Sequence, residues 1–339
     1  MDPLSQASFG ASLSQSFAHD KKKQFSAMVI GALAGMTPDL DILIRSDVDP
    51  MLFLEFHRQF THSLIFIPIG ALICALIFYS VMQSRLFSST LSFKQVYLFS
   101  FLGYATHGLL DACTSYGTQL LWPFSNTRYA WNTVSIIDPF FTLPILILCV
   151  FAVAKRNARY AQGAFVYAVI FLAAGLIQKH RAQEALYDLV AQRGHSVERM
   201  QVKPSFANRH LWKTIYEYNG RYYVDAVKLV FDVEYFDGSS IPKLDMQRDF
   251  PWLPAQSQQA RDIERFRWFS DGFIAVSPND PNLVIDMRYS FVPTEIKPMW
   301  GVEVNKLSID EGDYESHVFY QMFNRLDEDT SNRFYEMLF

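Results

Sequence analysis

Cysteine is scarce in this sequence, and the three residues present form no pattern. Cys74, Cys113 and Cys149 lie far apart in apolar stretches. They lack the close pairs of thiolate zinc sites and redox motifs, and none stands beside a histidine. We therefore interpret them as small buried apolar residues, and the sequence predicts no thiolate metal site and no disulfide framework.

Charge is scarce over one third of the chain. Only eight of the 30 basic and 34 acidic residues fall between Ser63 and Gln178. Because charge is costly to bury in an apolar environment, this stretch suits lipid and the charged remainder suits water. A net charge of −4 and the lack of a basic stripe give no support to nucleic-acid binding.

Two common catalytic signatures are also missing. The chain has no Gly-x-Ser-x-Gly elbow and no Gly-x4-Gly-Lys-Ser/Thr phosphate loop. Serine hydrolases of the elbow type and phosphate-loop nucleotidases are therefore not indicated.

The apolar region contains five stretches that approach the length and composition of a membrane span. They are Phe25–Leu43, Ser63–Met82, Val96–Ser115, Val134–Ala154 and Gly163–Gln178. The predicted fold class is an α-helical membrane bundle of about five transmembrane helices, followed by a smaller α+β soluble domain. The predicted boundaries are 1–178 for the membrane-embedded domain and 179–339 for the soluble one.

Basic residues predict the orientation, since cytoplasmic loops carry an excess of them. We interpret the first span as uncleaved, although the lysines before it resemble the start of a signal peptide. With the N-terminus inside, the cytoplasmic side holds Lys21, Lys22, Lys23, Arg85, Lys94, Lys155, Arg156 and Arg159. The outer loops hold only Arg45, Arg58 and Arg128, and the C-terminal domain is expected outside.

The last 160 residues show hairpin patterns. Aromatic and β-branched runs surround Asn219-Gly220 and Asp237-Gly238, and a second set flanks Asn279-Asp280-Pro281. A helix over Arg181–Gly194 is expected to link the membrane part to this domain. The final stretch from Glu315 is predicted as one or two closing helices.

Polar residues interrupt the third predicted span. His107 and Asp111 are four residues apart, so both side chains lie on one face of a helix. Ionisable groups inside a span face the protein interior and find partners. Alone, this pair is explained by a structural hydrogen bond between the two residues.

More polar residues precede the second predicted span. His57 and His62 are five apart, and a turn between them would let both reach one centre, with Thr61 or Ser63 capping the span. Asp39 and Asp41 lie in PDLD, where a turn or extended segment would separate their roles. Three imidazoles and three carboxylates at one face of the membrane suit zinc, manganese or iron, and are enough for two ions.

Three ordered motifs, PDLD, HRQFTHS and HGLLDACTSYGTQLLWPFS, resemble the membrane-bound metal-dependent hydrolase family of bacterial inner membranes. The resemblance covers roughly residues 1–160. It implies metal-ligand roles for Asp39, Asp41, His57, His62, His107 and Asp111, with zinc as the expected ion and manganese or iron as alternatives. Many family members carry a histidine near their start where this chain has Gln6, and His19 beside the lysines is expected in solvent.

The resulting hypothesis is a membrane metallohydrolase that acts on a lipid or lipid-linked phosphoester. Asp41 or Glu55 would take the proton from water, with Asp111 a further candidate if it is not a ligand. Arg58 and Arg128 would bind an anionic group of the substrate or anchor the chain to lipid headgroups. The alternatives are an ion transporter or sensor, and a scaffold whose C-terminal domain binds a protein partner not identified by the sequence.

Overall fold

The computed structural model describes residues 1–82, 91–323 and 327–339. Arg85, which the orientation argument used, lies outside them. By contacts the chain divides into two compact units. The first comprises Met1–Leu43, Phe56–Ile177 and Phe206–Asn208, and the second comprises Ile44–Glu55, Gln178–Ser205 and Arg209–Phe339.

The first unit is helical. Its α-helices are α1 (Pro3–Ser16), α2 (Gln24–Met36), α4 (Ile67–Met82), α5 (Phe93–Ala112) and α6 (Pro139–Ala154). The short helix α3 (Leu52–Phe56) lies almost wholly in the second unit, and the long helix α7 (Ala158–Gln192) runs from the first unit into the second. Short 3-10 helices at Lys21–Lys23, Thr37–Leu43, Phe60–His62 and Leu64–Phe66 adjoin them.

Three helical segments are long and apolar enough to cross a membrane. They are Lys21–Leu43, Leu64–Met82 and Ala158–Gln192, and Pro139–Ala154 is a shorter apolar helix. Each of the five predicted stretches contains a helix, but the structure does not establish five spans. The helix Phe93–Ala112 contains polar residues that lower its hydropathy. It is not one of the three candidate membrane spans found among the described residues.

Helix α6 begins five residues later than its predicted span. Asp138 accepts hydrogen bonds from the backbone N–H groups of Phe140 and Phe141, and Pro139 occupies the first helical position. An aspartate followed by proline is a strong start signal, because the proline has no N–H group to leave unpaired. The acid near the start of this predicted span is therefore a helix cap.

Helix α1 was not among the predicted spans, yet it packs against α2, α5 and α6. Its serines and glutamines are largely buried, and Ser8, Ser12 and Ser16 donate to backbone carbonyls of their own helix. A Cβ atom at Gly10 would lie 2.5 Å from the carbonyl oxygen of Gly31. Small residues thus allow close helix contact, as in many membrane bundles.

The second unit contains two four-stranded antiparallel sheets, ordered β1-β2-β3-β4 and β5-β6-β7-β8. The strands are β1 (Arg199–Pro204), β2 (Leu211–Tyr218), β3 (Arg221–Leu229), β4 (Val233–Pro242), β5 (Ile274–Ser277), β6 (Asp280–Asp286), β7 (Trp300–Glu303) and β8 (Phe319–Met322). Its remaining helices are α8 (Met246–Asp249), α9 (Gln258–Phe269), α10 (Lys306–Asp310) and α11 (Glu328–Leu338).

Some of the predicted turns are in place. Asn219-Gly220 joins β2 to β3, and both residues have positive φ angles, as a tight hairpin requires. Asp237-Gly238, by contrast, lies inside β4, and β3 turns into β4 over residues 230–232. The final stretch predicted as helical begins with β8 and becomes helical only at α11.

The predicted linking helix is the C-terminal part of α7. Arg181–Gln192 continues the helix that begins at Ala158, without a break. This long helix carries the chain from the first unit into the second.

Candidate metal centre

The structure brings the six predicted ligands together in two groups of donor atoms. The first contains Asp39, His62, His107 and Asp111, and the second contains Asp39, Asp41 and His57. Within each group the donor atoms lie within 4.8 Å of one another. All six residues belong to the first unit, and Asp39 takes part in both groups.

The local structure explains how residues five apart reach one place. Between His57 and the 3-10 helix that ends at His62, Arg58 adopts a left-handed φ of 66°. This conformation is unfavourable for a residue other than glycine. It is supported here because the Arg58 N–H group donates to the carboxylate of Asp41 at 2.9 Å. The expected turn between the histidines is therefore present.

The expected caps are not formed. Thr61 Oγ1 donates to Asp41 at 2.8 Å, and Ser63 Oγ donates to the carbonyl of Phe60. Both hydroxyls are thus used inside the loop that carries the histidines, rather than by the following span. Asp41 consequently has hydrogen-bond partners along the whole loop.

Helix α5 supplies His107 and Asp111 on one face, as predicted. It approaches His62 closely, because a Cβ atom at Gly108 would lie 2.3 Å from the His62 carbonyl oxygen. A residue with a side chain at this position would force the loop away from α5. Gly108 therefore helps to set the separation between the two imidazoles.

Both of these imidazoles use Nδ1 outside the cluster. His107 Nδ1 lies 2.5 Å from the carbonyl oxygen of Gly35, which can only accept, so Nδ1 carries the hydrogen. His62 Nδ1 faces Asp41 at 3.2 Å and the Thr61 hydroxyl at 3.0 Å. The Nε2 atoms then face each other across 2.9 Å, and either a proton on one of them or a metal ion between or beside them relieves the repulsion of their lone pairs.

Four separations among the donors are close to those of a tetrahedral site, and the fifth, 2.9 Å between the two Nε2 atoms, is shorter. Asp39 Oδ1 lies 3.4 Å from both Nε2 atoms, and Asp111 Oδ2 lies 3.3 Å from that of His62 and 3.7 Å from that of His107. Nitrogen and oxygen ligands about 2.0–2.1 Å from zinc stand about 3.3–3.4 Å apart at tetrahedral angles. The donors present therefore fit a divalent ion without large rearrangement.

Asp111 also has partners that the sequence analysis did not assign to it. Arg58 Nε lies 2.9 Å from Asp111 Oδ2, and Gln6 Nε2 donates to Oδ1 at 2.8 Å. The amino group of Met1 contacts the same carboxylate. Gln6 Oε1 is buried without a hydrogen-bond partner. Gln6, the position at which the resemblance leads us to expect a histidine, thus lies at the cluster, whereas His19 is exposed, as expected.

Electrostatics favour positive charge at this place. Burial opposes the charged form of His62, but hydrogen bonds to Asp111, Asp39 and Asp41 outweigh it and raise the pKa of His62 to about 10. Burial instead lowers the pKa of His57, although its bond to Asp41 at 2.7 Å acts in the opposite direction. The carboxylates thus favour a positive charge at His62, whereas burial disfavours one at His57.

Arg58 and Glu55, which the sequence analysis named as candidates for catalysis, have different surroundings. Arg58 is 3% exposed and bonded to Asp111 and Thr114, which does not fit an anchor to lipid headgroups. Glu55 belongs to the second unit, where its carboxylate pairs with Arg265 at 2.6 Å. Glu55 is in neither group of donors, so a proton-transfer role has no support from its surroundings.

Arg128 lies beside the loop that follows α5. Its guanidinium donates to the carbonyl of Gly117 at 3.0 Å and stands 5.3 Å from the centre of the Tyr116 ring. Arg58 contacts the same ring at 4.8 Å. The aromatic side chain thus lies against two guanidinium groups of the first unit.

Apolar helices long enough to span a bilayer and a buried histidine–aspartate cluster define a membrane protein with a candidate metal centre. The chain belongs to the YdjM inner membrane protein family, which matches residues 1–182 and is a membrane metal-dependent hydrolase-like family. The family match therefore confirms the inner-membrane resemblance, without testing the individual motifs.

One similar protein is the uncharacterized protein YfhP of Bacillus subtilis (strain 168). It is 26% identical over 193 residues, which are 55% of this chain and 54% of YfhP. The chain thus spans about half the length of this curated relative. No solved structure matches the chain.

Proposed function

We propose that the protein is a metal-dependent hydrolase of the inner membrane that holds one or two divalent ions. The observation that carries this proposal is the pair of Nε2 atoms of His62 and His107, which face each other at 2.9 Å with two carboxylates beside them. Two neutral imidazoles that face each other in this way repel unless a proton or a metal ion lies between them, and the two carboxylates favour positive charge there.

Asp39, His62, His107 and Asp111 would hold the first ion, and Asp39, Asp41 and His57 would surround a second. When bound, a divalent ion lowers the pKa of water toward neutrality and polarises a phosphoryl or carbonyl oxygen. Zinc is the ion we expect, because two imidazoles and two carboxylates suit it, while manganese and iron accept the same donors.

Asp41 is better suited to orienting the histidines than to taking a proton. It accepts from His57 Nδ1, the Arg58 N–H group and the Thr61 hydroxyl, and it faces His62 Nδ1. A carboxylate with this many donors is a weak base. In a one-ion centre His57 would take the proton from water at Nε2, since Asp41 fixes its Nδ1–H group.

An anionic, lipid-linked phosphoester is the substrate class we propose. The membership in an inner membrane family supports a substrate reached from the bilayer, and the ring of Tyr116 with Arg128 offers aromatic and cationic contacts. Arg58 is already bonded to Asp111, so we assign it to holding that ligand instead of the substrate.

We also propose that the cluster and the C-terminal unit face the extracytoplasmic side, with Lys21–Lys23 inside. The sequence predicted the N-terminus on the inner side, and in the orientation proposed here Met1 would instead lie with the cluster at the outer side. Met1 contacts Asp111, and α1 separates it from the lysines by about 20 Å at 1.5 Å per residue. In this arrangement α1 lies across the membrane region, and the N-terminal end of α1 is at the cluster.

Elemental analysis of detergent-purified protein tests the proposal. Wild-type protein is expected to carry one or two zinc, manganese or iron ions, and His62→Ala and Asp111→Ala to lose them. Chelation should abolish hydrolysis of a lipid phosphoester panel, and added metal should restore it. Undiminished turnover after complete chelation would contradict metal-dependent hydrolysis, even if the protein had carried metal before chelation.

Ion transport is the alternative favoured by a specific observation, the buried serines and glutamines of α1. They place polar groups along the bundle, where the sequence predicted mostly apolar spans. However, Gln15 donates to the carbonyls of Gln24 and Cys149, and the serines donate to nearby carbonyls. Metal-dependent flux of zinc or manganese into liposomes that contain the protein would favour transport, and its absence would favour the enzyme.

A further inference from the structure

The turn between β3 and β4 exposes apolar side chains. Phe231 is 92% exposed, and its neighbours Val230 and Val233 are 44% and 42% exposed. Turns normally use glycine, asparagine, aspartate, proline or serine, and the Asn219-Gly220 turn of the same sheet does so. An apolar turn with an aromatic residue at its tip is therefore unexplained by hairpin chemistry alone.

This turn is bonded to one particular part of α7. Gln178 Nε2 donates to the carbonyl of Leu229 at 2.8 Å, and an Arg181 guanidinium nitrogen lies 3.5 Å from the carbonyl of Val230. These contacts lie within the second unit. They fix the turn beside residues 178–181 of the helix.

Residues 178–181 are also where the lipid-facing part of α7 ends. The helix has 35 residues, which makes it about 52 Å long, whereas the hydrocarbon core is about 30 Å thick. About 20 residues from Ala158 cross that core, and Leu176 and Ile177 are still exposed and apolar. The sequence then changes to Gln178-Lys179-His180-Arg181, a basic group typical of the headgroup region.

From these contacts we infer that the turn, defined as residues 230–233, dips into the outer edge of the bilayer and binds lipid. Val230 and Phe231 enter the boundary between headgroups and acyl chains, as the apolar faces of interfacial segments do. Asp232 remains at the level of the headgroups, which keeps the insertion shallow. Lys179 and Arg181 lie where they meet anionic lipid phosphates.

The inference concerns the second unit and does not depend on a bound metal. Burial of one phenylalanine and one valine adds a second attachment to the membrane besides α7. With two attachments, the sheet β1-β2-β3-β4 cannot turn freely about the end of the helix. The interaction surface fits a lipid bilayer with anionic headgroups.

Spin labelling of full-length protein tests the inference. Phe231→Cys is labelled with a nitroxide and reconstituted into nanodiscs of zwitterionic and anionic phospholipid. The matched control is Phe319→Cys, whose phenylalanine on β8 is 66% exposed in the same unit. Cys74, Cys113 and Cys149 are buried, so we expect them to react little with the label. The unsubstituted protein measures this background of labelling.

The label at 231 is expected to relax faster with oxygen than with a water-soluble nickel chelate, and the label at 319 is expected to show the reverse. Equal accessibility to the nickel chelate at both positions would overturn the inference. Nanodiscs that hold two copies of the protein test for a contact between copies. Dipolar broadening of the label at 231 in these nanodiscs would show that the turn contacts a second copy, and it would also overturn the inference. Metal content is measured on the same samples, so that failure of the proposed hydrolase is seen separately.

Discussion

Within the described residues, each unit has a place where histidine and aspartate side chains meet, and the two clusters compared next differ in what lies at the centre. The first cluster is formed by Asp39, His62, His107 and Asp111, and the second by Asp49, Asp262 and His317. By residue type both could hold a metal ion. In the first, donor atoms of two imidazoles face each other, although Arg58 and the amino group of Met1 also contact the carboxylate of Asp111.

In the second cluster a guanidinium already lies among the carboxylates. Arg265 binds Asp49 at 2.8 Å, Glu55 at 2.6 Å and Asp262 at 3.0 Å, and His317 Nδ1 donates to Asp262 at 2.8 Å. The arginine supplies the positive charge that a metal would supply elsewhere. The comparison teaches that ligand types alone do not make a metal centre, and that the direction of the lone pairs must also be known.

The sharpest test of this comparison replaces one histidine in each cluster. We expect His62→Ala to weaken metal binding by at least about 100-fold, because a ligand is lost and the facing His107 is left without its partner. His317→Ala is expected to leave the metal content unchanged. Inductively coupled plasma mass spectrometry of both purified variants measures this. Equal loss of metal in both would erase the distinction between the clusters.

Asp41→Asn tests how far the first cluster depends on oriented imidazoles. The amide keeps the size of the side chain but offers only one acceptor, so His57 and His62 lose part of their support. We expect metal affinity to fall by about 10–100-fold, the range found for residues that orient ligands. Competition with a chromogenic chelator measures the affinity. An unchanged affinity would show that Asp41 is dispensable for orientation.

Arg265→Gln removes the central charge of the second cluster. Asp49, Glu55 and Asp262 would then repel one another. We expect the free energy of unfolding to fall by about 1–2 kcal/mol, a value kept small by the partial exposure of the pairs. Hydrogen exchange of residues 44–55 and of α9 in the full-length protein should become faster. Arg261→Gln, on the same helix but more exposed, is the control. Equal protection in both variants would show that Arg265 does not hold the segment.

A buried lysine of the second unit, Lys213, lies outside both clusters, and the effect predicted for it within a single pH unit is of about the same size or smaller. Burial lowers the pKa of Lys213 from 10.5 to about 7, while its amine donates to Ser290 and to the carbonyls of Pro293 and Glu295. Between pH 7 and 10.5 the unfolded chain therefore binds more protons. The free energy of unfolding should rise with pH in this window, by up to about 1 kcal/mol per pH unit.

Lys213→Met should flatten this rise, apart from a contribution of Lys203, which lies opposite on β1 and whose pKa burial also lowers. Hydrogen exchange of β2, corrected for the intrinsic pH dependence of exchange, measures it. A slope identical to that of the wild-type protein would show that Lys213 is protonated equally in both states.

The sequence was sufficient for features that depend on spacing along one element. His107 and Asp111 share a helical face because they are four apart, and Asn219-Gly220 makes a hairpin because both residues tolerate positive φ. The convergence of Asp39 and Asp41 with the histidines was predicted from residue types, and the structure brings these side chains together.

Other features depend on tertiary contacts that no local pattern records. Helix α1 is polar, so hydropathy excluded it from the bundle, and only its close contact with Gly31 and its bonded hydroxyls make its burial possible. Glu55 was a candidate base as a spare carboxylate, but Arg265, more than 200 residues away, binds it. The turn at Phe231 was missed because its residues resemble a strand.

X-ray absorption at the metal edge of full-length wild-type protein tests the central claim most directly. The account predicts about one or two tightly held divalent ions with nitrogen and oxygen ligands at about 2.0–2.1 Å and the multiple-scattering signal of at least two imidazoles. A protein that retains no metal after purification in its presence, or a metal without imidazole scattering, would contradict it.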